Sequence, residues 1–241
     1  MSALTAQARV ETTLSLRRGE SLLLTLGIPV GLLVFFSVVD VLPIDADDPV
    51  DFLAPGVLAL AVMSTAMVNL AISTGFERQY LVLKRLGSTP LGRERLLAAK
   101  TIAIKVVMGI QIVVITAVAV ALGWDPHLRG IPAALAGMVL ATVAFAGLGL
   151  WMAGSLRGEV TLALANGLYL VLLLLGGMVI PLNELPDAVR TVAELLPAAA
   201  LADVLNGSLT EGGHVAGRSW VVLAVWAVAA PLAAVRWFRW E

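Results

Sequence analysis

The stretch from Ile131 to Leu156 reads IPAALAGMVLATVAFAGLGLWMAGSL and contains no charged residue. As an α-helix, a run of this length extends about 39 Å, and the hydrocarbon core of a bilayer is about 30 Å thick. Backbone groups in lipid must be hydrogen-bonded within the protein, so a continuous run this long is predicted to be a transmembrane helix.

Five further apolar runs of similar length follow the same pattern, and the breaks between the runs hold nearly all of the charge. The six predicted spans are Leu22–Val39, Leu53–Thr74, Val106–Trp124, Ile131–Leu156, Val160–Leu182 and Ser219–Val235. We therefore expect an all-α integral membrane protein with six transmembrane helices, forming one transmembrane domain over residues 1–241.

The composition excludes most soluble functions. Of 241 residues, 59 % are hydrophobic and 14 % are charged, whereas soluble domains carry about 25 % charged residues. The net charge of −1 gives no electrostatic basis for binding nucleic acid, and the absence of cysteine excludes disulfides and thiolate metal sites. His127 and His214, the only histidines, have no partner at metal-ligand spacing, so no metal site is expected.

The distribution of lysine and arginine predicts the orientation of the chain. With the N-terminus inside, only Arg129, Arg190 and Arg218 of the 16 basic residues fall in outer loops. The positive-inside rule then places both termini in the cytoplasm. We expect a multi-pass protein of the bacterial plasma membrane.

Residues 1–20 precede the first span and carry Ala6, Val10 and Leu14 at helical spacing, opposite charged residues. This pattern predicts an amphipathic helix at the inner membrane interface. A frayed terminal tail is the alternative, because the apolar face is thin.

Residues 75–100 form an inner connection that reads GFERQYLVLKRLGSTPLGRERLLAAK. Apolar and basic residues interleave from Glu77 to Leu86, which predicts a short amphipathic helix. Gly87 is expected to end this helix, and Pro90 to begin the next one. A solvated basic loop against anionic lipid is the alternative.

Residues 183–218 form an outer connection. Leu185, Val189, Val192 and Leu196 fall on one helical face, which begins near Pro186 and ends at Pro197. We expect a hairpin of short helices that dips into the outer leaflet, as is allowed where protein covers its ends. An ordinary surface helix is the alternative.

Motifs for chemistry within this chain are missing. The sequence has no G-x-x-x-x-G-K-[ST] phosphate loop, and its spans carry no Asp or Glu near mid-depth for proton coupling. The span amides of Asn69, Gln111 and Asn166 either bond between helices or contact a substrate.

Two stretches resemble the ABC-2 family of ABC transporter permeases. The first is 77–100, with Glu77-Arg78, Leu86-Gly87, Thr89-Pro90-Leu91 and a lysine before the third span. The second is GGMVIPL at 176–182, followed by Leu185-Pro186 and Leu196-Pro197. Six spans, inner termini and an N-terminal interfacial helix match this family too, so the resemblance covers the whole chain.

The resemblance implies a transporter subunit that is not itself an enzyme. It would pair with a second permease, identical or different, and rest on a pair of cytoplasmic ATPase subunits that hold ATP and Mg, with no cofactor in this chain. The inner helix after the second span would be the coupling helix. Its ATPase contacts would be Glu77, Arg78, Tyr80, Leu83, Lys84 and Leu86.

The resemblance also implies a route for the cargo between the two permeases. The outer hairpin would close it, with Pro181, Leu185, Pro186 and Pro197 as the outer gate. Candidate substrate contacts in the second and fifth spans are Met63, Met67, Asn69, Asn166 and Tyr169. Methionine suits a variable apolar guest because its side chain repacks easily.

We therefore expect an ATP-driven exporter of an amphipathic drug, antibiotic or lipid-like molecule. Export of a polysaccharide or glycolipid is the alternative within the family, although a chain with two tyrosines offers few aromatic rings for a sugar channel. A membrane-embedded enzyme and a non-transporting scaffold are alternatives from other classes, and the sequence shows no buried acid, base or metal cluster for the enzyme.

Overall fold

A computed structural model describes residues 3–17, 19–39, 49–82 and 92–238. All regular structure in these ranges is helical. The helices are α1 Ala3–Arg17, α2 Gly19–Val38, α3 Pro49–Met63, α4 Leu70–Gln79, α5 Gly92–Ala121, α6 Ile131–Ser155, α7 Gly158–Leu175, α8 Asp187–Ala193, α9 Pro197–Leu209 and α10 Gly217–Trp237. A π-helical turn, Ser64–Asn69, joins α3 to α4, and 3-10 turns form at Leu128–Gly130 and Leu182–Glu184.

The all-α membrane fold is confirmed. Five helical segments of the described chain are long and apolar enough to cross a membrane, and they match the second to sixth predicted spans. They are Pro49–Gln79, Thr101–Ala121, Leu128–Ser155, Gly158–Leu175 and Gly217–Trp237. The first predicted span falls on α2, where the apolar stretch Leu26–Val38 is shorter than the other five. Its crossing of the membrane stays a prediction.

The fifth span ends earlier than its predicted limit at Leu182. Helix α7 stops at Leu175, and Gly177 adopts a left-handed φ of 65°. Helix α3 packs closely on this turn, since a Cβ on Gly56 would lie 2.1 Å from the Met178 carbonyl oxygen. The two glycines after Leu175 therefore turn the chain away from the helix axis.

Helix α6 lies at the centre of the bundle and packs against α4, α9 and α10. Its glycines allow the close contacts. A Cβ on Gly137 would lie 2.6 Å from a Val204 methyl group, and one on Gly147 would lie 2.5 Å from the Pro231 nitrogen. Small residues bring helices together in lipid, where burial of apolar surface offers little drive for association.

The outer hairpin consists of α8 and α9, and the two helices differ in burial. Helix α8 is largely exposed, whereas α9 packs between α3, α6 and α10 with most of its side chains buried. The indole nitrogen of Trp226 donates to the Leu195 carbonyl oxygen at 2.9 Å, about 13 Å along α10 from its first residue. The second hairpin helix thus packs among the helices of the bundle, and its entry into the outer leaflet stays a prediction.

The N-terminal segment forms the helix α1 and packs against α5. Helix α5 has 30 residues and a length of about 45 Å, which exceeds the hydrocarbon thickness. The described part of residues 1–20 is helical, and its position at the inner membrane interface stays a prediction.

We expect Gly147→Ala to destabilise the bundle. The new Cβ meets the Pro231 nitrogen and the Ala230 carbonyl carbon, both of which are backbone atoms that cannot rotate away. Overpacking of this kind costs about 1–3 kcal/mol. Thermal unfolding in detergent measures the effect.

The matched control is Gly109→Ala, because a Cβ at Gly109 meets no atom within 4 Å. This variant is expected to unfold at the wild-type temperature or slightly above, since alanine favours the helix by about 1 kcal/mol. Equal unfolding temperatures for the two variants would contradict the close approach of α6 and α10.

Candidate functional site

A cavity of about 630 Å³ opens between α2, the second predicted span and α7. Its lining mixes aliphatic groups with hydroxyl and amide groups, and Glu77 is the only charged side chain among the described residues that form it. The lining consists of Ile28, Pro29, Ser64, Val68, Asn69, Ile72, Ser73, Phe76, Glu77, Tyr80, Val82, Leu162, Asn166 and Tyr169.

The π-helical turn shapes one end of this cavity. It lies between α3 and α4 and directs Ser64, Val68 and Asn69 toward the open space, while Thr65 and Met67 are fully buried on its other side. A π-turn holds one more residue than an α-turn, so it changes the register of every side chain that follows. Such turns are frequent at functional sites.

Two contacts hold the π-turn in place. Thr65 donates its hydroxyl proton to the Gln111 Oε1 atom of α5 at 2.5 Å, and both side chains are fully buried. On the side facing α6, a Cβ on Gly149 would lie 2.7 Å from the Met67 carbonyl oxygen. The π-turn is thus fixed to α5 by a hydrogen bond and to α6 by close packing.

The structure brings three of the five predicted substrate contacts to one cavity. Asn166 and Tyr169 line it from α7, and Asn69 lines it from the π-turn. The Asn166 amide nitrogen donates to the Leu162 carbonyl of its own helix at 2.9 Å. Met63 and Met67 do not line the cavity, because both side chains are fully buried in the core.

Sequence reasoning missed several lining residues, among them Ser64, Ser73 and Phe76. One signal could have found part of the lining, because residues at four-residue intervals from Ser64 to Tyr80 all face the cavity. The contribution of α2 through Ile28 and Pro29 carried no comparable signal, since neither residue differs in type from ordinary span residues.

The predicted coupling residues fall in different environments. Helix α4 continues to Gln79, so Glu77 and Arg78 belong to the last turn of the second span and not to a separate helix. The chain leaves this helix at Tyr80, which is 66 % exposed, and Leu81 has a left-handed φ of 58°. Leu83, Lys84 and Leu86 lie outside the described residues.

Arg78 contacts the connection between α6 and α7. Its two terminal nitrogens donate to the carbonyl oxygens of Gly154 and Leu156. Beside it, the Gln79 amide accepts the Gly158 backbone N–H and donates to a Glu159 carboxylate oxygen, each at 2.8 Å. Arg78 is therefore engaged within this chain, and the ATPase contact predicted for it stays a prediction.

The predicted outer-gate residues lie on the hairpin and on the connection that leads into it. Pro181, Pro186 and Pro197 each stand immediately before or at the first residue of a helical element, and Leu185 is half-buried. The hairpin is held to the start of α10 by an ion pair between Glu194 and Arg218. None of the four lines the described cavity.

The described residues contain no group of three or more histidine, aspartate and glutamate side chains that could hold a metal ion. The arrangement instead offers a chamber of drug-sized volume, as pockets for small ligands measure about 300–1,000 Å³.

The sequence model of the ABC-2 type transporter family matches residues 5–209. The chain belongs to the ABC-2 type transporter family. The match covers the cavity lining, the inner ends of the spans and the whole hairpin, and it stops before α10. No curated protein matches the chain.

Membership of the ABC-2 family makes this chain the membrane-spanning permease subunit of an ABC transporter, a multi-pass membrane protein. Members of the family generally work with a cytoplasmic ATPase. The sequence prediction of the family is thus confirmed, and the cavity belongs to a transporter membrane subunit.

We expect Thr65→Val to destabilise this ABC-2 permease. The substitution keeps the shape of the side chain but removes the proton that Gln111 accepts in the core, and such interhelical bonds are worth about 0.6–2 kcal/mol. Unfolding in detergent measures the loss.

Thr191→Val is the matched control. The Thr191 hydroxyl donates to the Asp187 carbonyl of its own helix at 2.9 Å, so the substitution removes a hydrogen bond within one helix and not one between helices. An equal loss of stability in the two variants would show that the Thr65–Gln111 bond does not hold the π-turn to α5.

Proposed function

We propose that this chain is the permease subunit of an ATP-driven exporter for small amphipathic molecules, such as a drug, an antibiotic or a lipid-like compound. It pairs with a second permease and draws its energy from a separate pair of cytoplasmic ATPase subunits. The observation that carries the proposal is the cavity of about 630 Å³ between α2, the second span and α7.

The cavity supports a small amphipathic cargo through its lining. Aliphatic side chains such as Val68 and Ile72 suit an apolar body, while Asn69, Asn166 and Tyr169 offer hydrogen bonds to a polar group. A few polar groups on an otherwise apolar wall are the usual way that such pockets orient a ligand.

Export of a long polysaccharide is the second candidate within the family. A growing sugar chain requires a continuous channel, and the lining offers three aromatic rings, from Phe76, Tyr80 and Tyr169. A cavity of about 630 Å³ suits a small molecule better than a long sugar chain.

The test is transport by the purified complex. The permease is purified from its native membrane together with the ATPase chains that accompany it and is reconstituted in liposomes. The probes are ethidium, Nile red and NBD-labelled phosphatidylglycerol. When ATP is added outside the liposomes, ATP-dependent uptake into them is expected for at least one probe. Transport of dextran alone would support the polysaccharide alternative, and a chain isolated without an ATPase or without any transport would contradict the proposal.

We expect Asn69→Leu and Tyr169→Phe to weaken stimulation of the ATPase by the transported probe. Each removes one polar group from the wall of the cavity, and a lost hydrogen bond lowers apparent affinity about fivefold to thirtyfold. ATP hydrolysis without probe is expected to be unchanged. The measurement is the probe concentration that gives half-maximal stimulation.

Leu170→Ala provides the control on α7, because Leu170 is exposed on the surface of the bundle and does not line the cavity. Its half-maximal concentration is expected to equal that of the wild type. An unchanged value in both cavity variants would show that the probe binds elsewhere.

The orientation of the proposed exporter is tested with single cysteines. The chain has no cysteine of its own, so Ala6→Cys and His214→Cys each introduce one label site at an exposed position. A membrane-impermeant maleimide is expected to label His214→Cys in intact cells and Ala6→Cys only after permeabilisation. The reverse pattern would contradict the predicted cytoplasmic termini.

A further inference from the structure

The connection between α6 and α7 consists of two residues, Leu156 and Arg157. The last carbonyl oxygens of α6 and the first backbone N–H groups of α7 therefore lie close together, and the ends of helices leave such groups without partners inside the helix. Two consecutive side chains at the end of α4, Arg78 and Gln79, contact both sets of groups.

Each of the two side chains suits the helix end that it contacts. The Arg78 guanidinium donates to carbonyl oxygens at the end of α6, where the helix dipole favours a positive charge. The Gln79 amide uses its oxygen to accept the Gly158 N–H and its nitrogen to donate to Glu159. Arg78 thus caps the end of α6, and Gln79 caps the start of α7.

The packing around these bonds leaves little free space. A Cβ on Gly158 would lie 2.3 Å from the Gln79 Oε1 atom and 3.0 Å from the Phe76 ring. One turn further, a Cβ on Gly75 would touch the Thr161 side chain at 3.3 Å. Helices α4 and α7 are therefore in direct contact over their inner ends as well as joined by the Gln79 amide.

Arg78 and Gln79 lie between the cavity and the point where the chain leaves α4. Immediately after Gln79 the chain leaves the helix at Tyr80 and Leu81. One residue earlier than Arg78, Glu77 lines the cavity, whose opposite wall is α7. The Arg78 and Gln79 contacts thus lie next to both the end of α4 and the wall of the cavity.

We propose that Arg78 and Gln79 form an inner joint that holds α4, α6 and α7 as one rigid body during transport. Both are positioning residues for the proposed transport, on which this inference rests. The inner joint fixes two walls of the cavity relative to each other, and α2, which contributes Ile28 and Pro29, contacts the cavity from a third side.

A reciprocal exchange of side chains tests the inner joint. Gln79→Glu places two carboxylates opposite each other and removes the N–H group that donates a hydrogen bond to Glu159. It is expected to lower the number of probe molecules transported per ATP, with the bound ATPase and its basal hydrolysis unchanged. Glu159→Gln alone keeps an acceptor for the Gln79 amide and is expected to behave as the wild type.

The double variant Gln79→Glu with Glu159→Gln restores a donor and an acceptor across the inner joint, so its transport per ATP is expected to return to the wild-type value. Failure of the double variant to recover would overturn the proposed joint. A wild-type complex that never transports would instead refute the proposed function, which distinguishes the two failures.

A second measurement stays informative if Gln79→Glu does not insert. The chain has no cysteine of its own, so Gln79→Cys and Glu159→Cys can be introduced together. This double variant lacks the bond between the two side chains, and a short bis-methanethiosulfonate bridge between its cysteines is expected to restore its transport. Loss of transport on bridging residues 79 and 159 would mean that α4 and α7 separate during the cycle, and would overturn the rigid joint.

Substitutions at two glycines of α7 test the Gln79–Gly158 contact independently. Gly158→Ala displaces the Gln79 amide and is expected to lower transport per ATP in the direction of Gln79→Glu. Gly167→Ala, on the same helix, meets no atom within 4 Å and is expected to leave it unchanged. Equal behaviour of the two would contradict a role for the Gln79–Gly158 contact.

Discussion

Close approach of backbones to the glycines of α6 is the constraint on which the bundle depends. Gly147 meets the backbone of α10, and Gly149 meets the backbone of the π-turn, both at distances that leave no room for a methyl group. In lipid, where apolar surface gains little from leaving its surroundings, such contacts supply the dispersion energy that helix association needs. Through them α6 sets the positions of α9, α10 and the second span.

The π-turn makes the second span asymmetric. On one side it presents Thr65 and Met67 to the core, and on the other it presents Ser64 and Asn69 to the cavity. Polar groups in a membrane span are expensive unless they are bonded or face an open space. The Thr65–Gln111 hydrogen bond satisfies the first case, and the cavity satisfies the second. A local change of helical register thus separates the polar group that bonds within the core from the polar groups that face the cavity.

The sequence predicted the helical spans well, because long uncharged runs have few alternatives in a bilayer. The sequence could not predict which face of the second span lines the cavity. Met63, Met67 and Asn69 were grouped as substrate contacts, yet the π-turn directs only Asn69 to the cavity. A π-turn depends on contacts with Gln111 and Gly149 from distant parts of the chain, and hydrophobic periodicity does not report them. Periodicity likewise does not report the acceptors of Arg78, which lie on the connection between α6 and α7.

None of the described cavity-lining side chains belongs to α6. The helix that organises the packing and the helices that surround the cavity are therefore different elements. Residues such as Val68, Ile72 and Leu162 can vary in size or polarity while every glycine contact of the scaffold is kept. A lineage built on this framework can broaden or redirect what it carries through mutations in the chamber alone, and its architecture places few obstacles in the way of such drift.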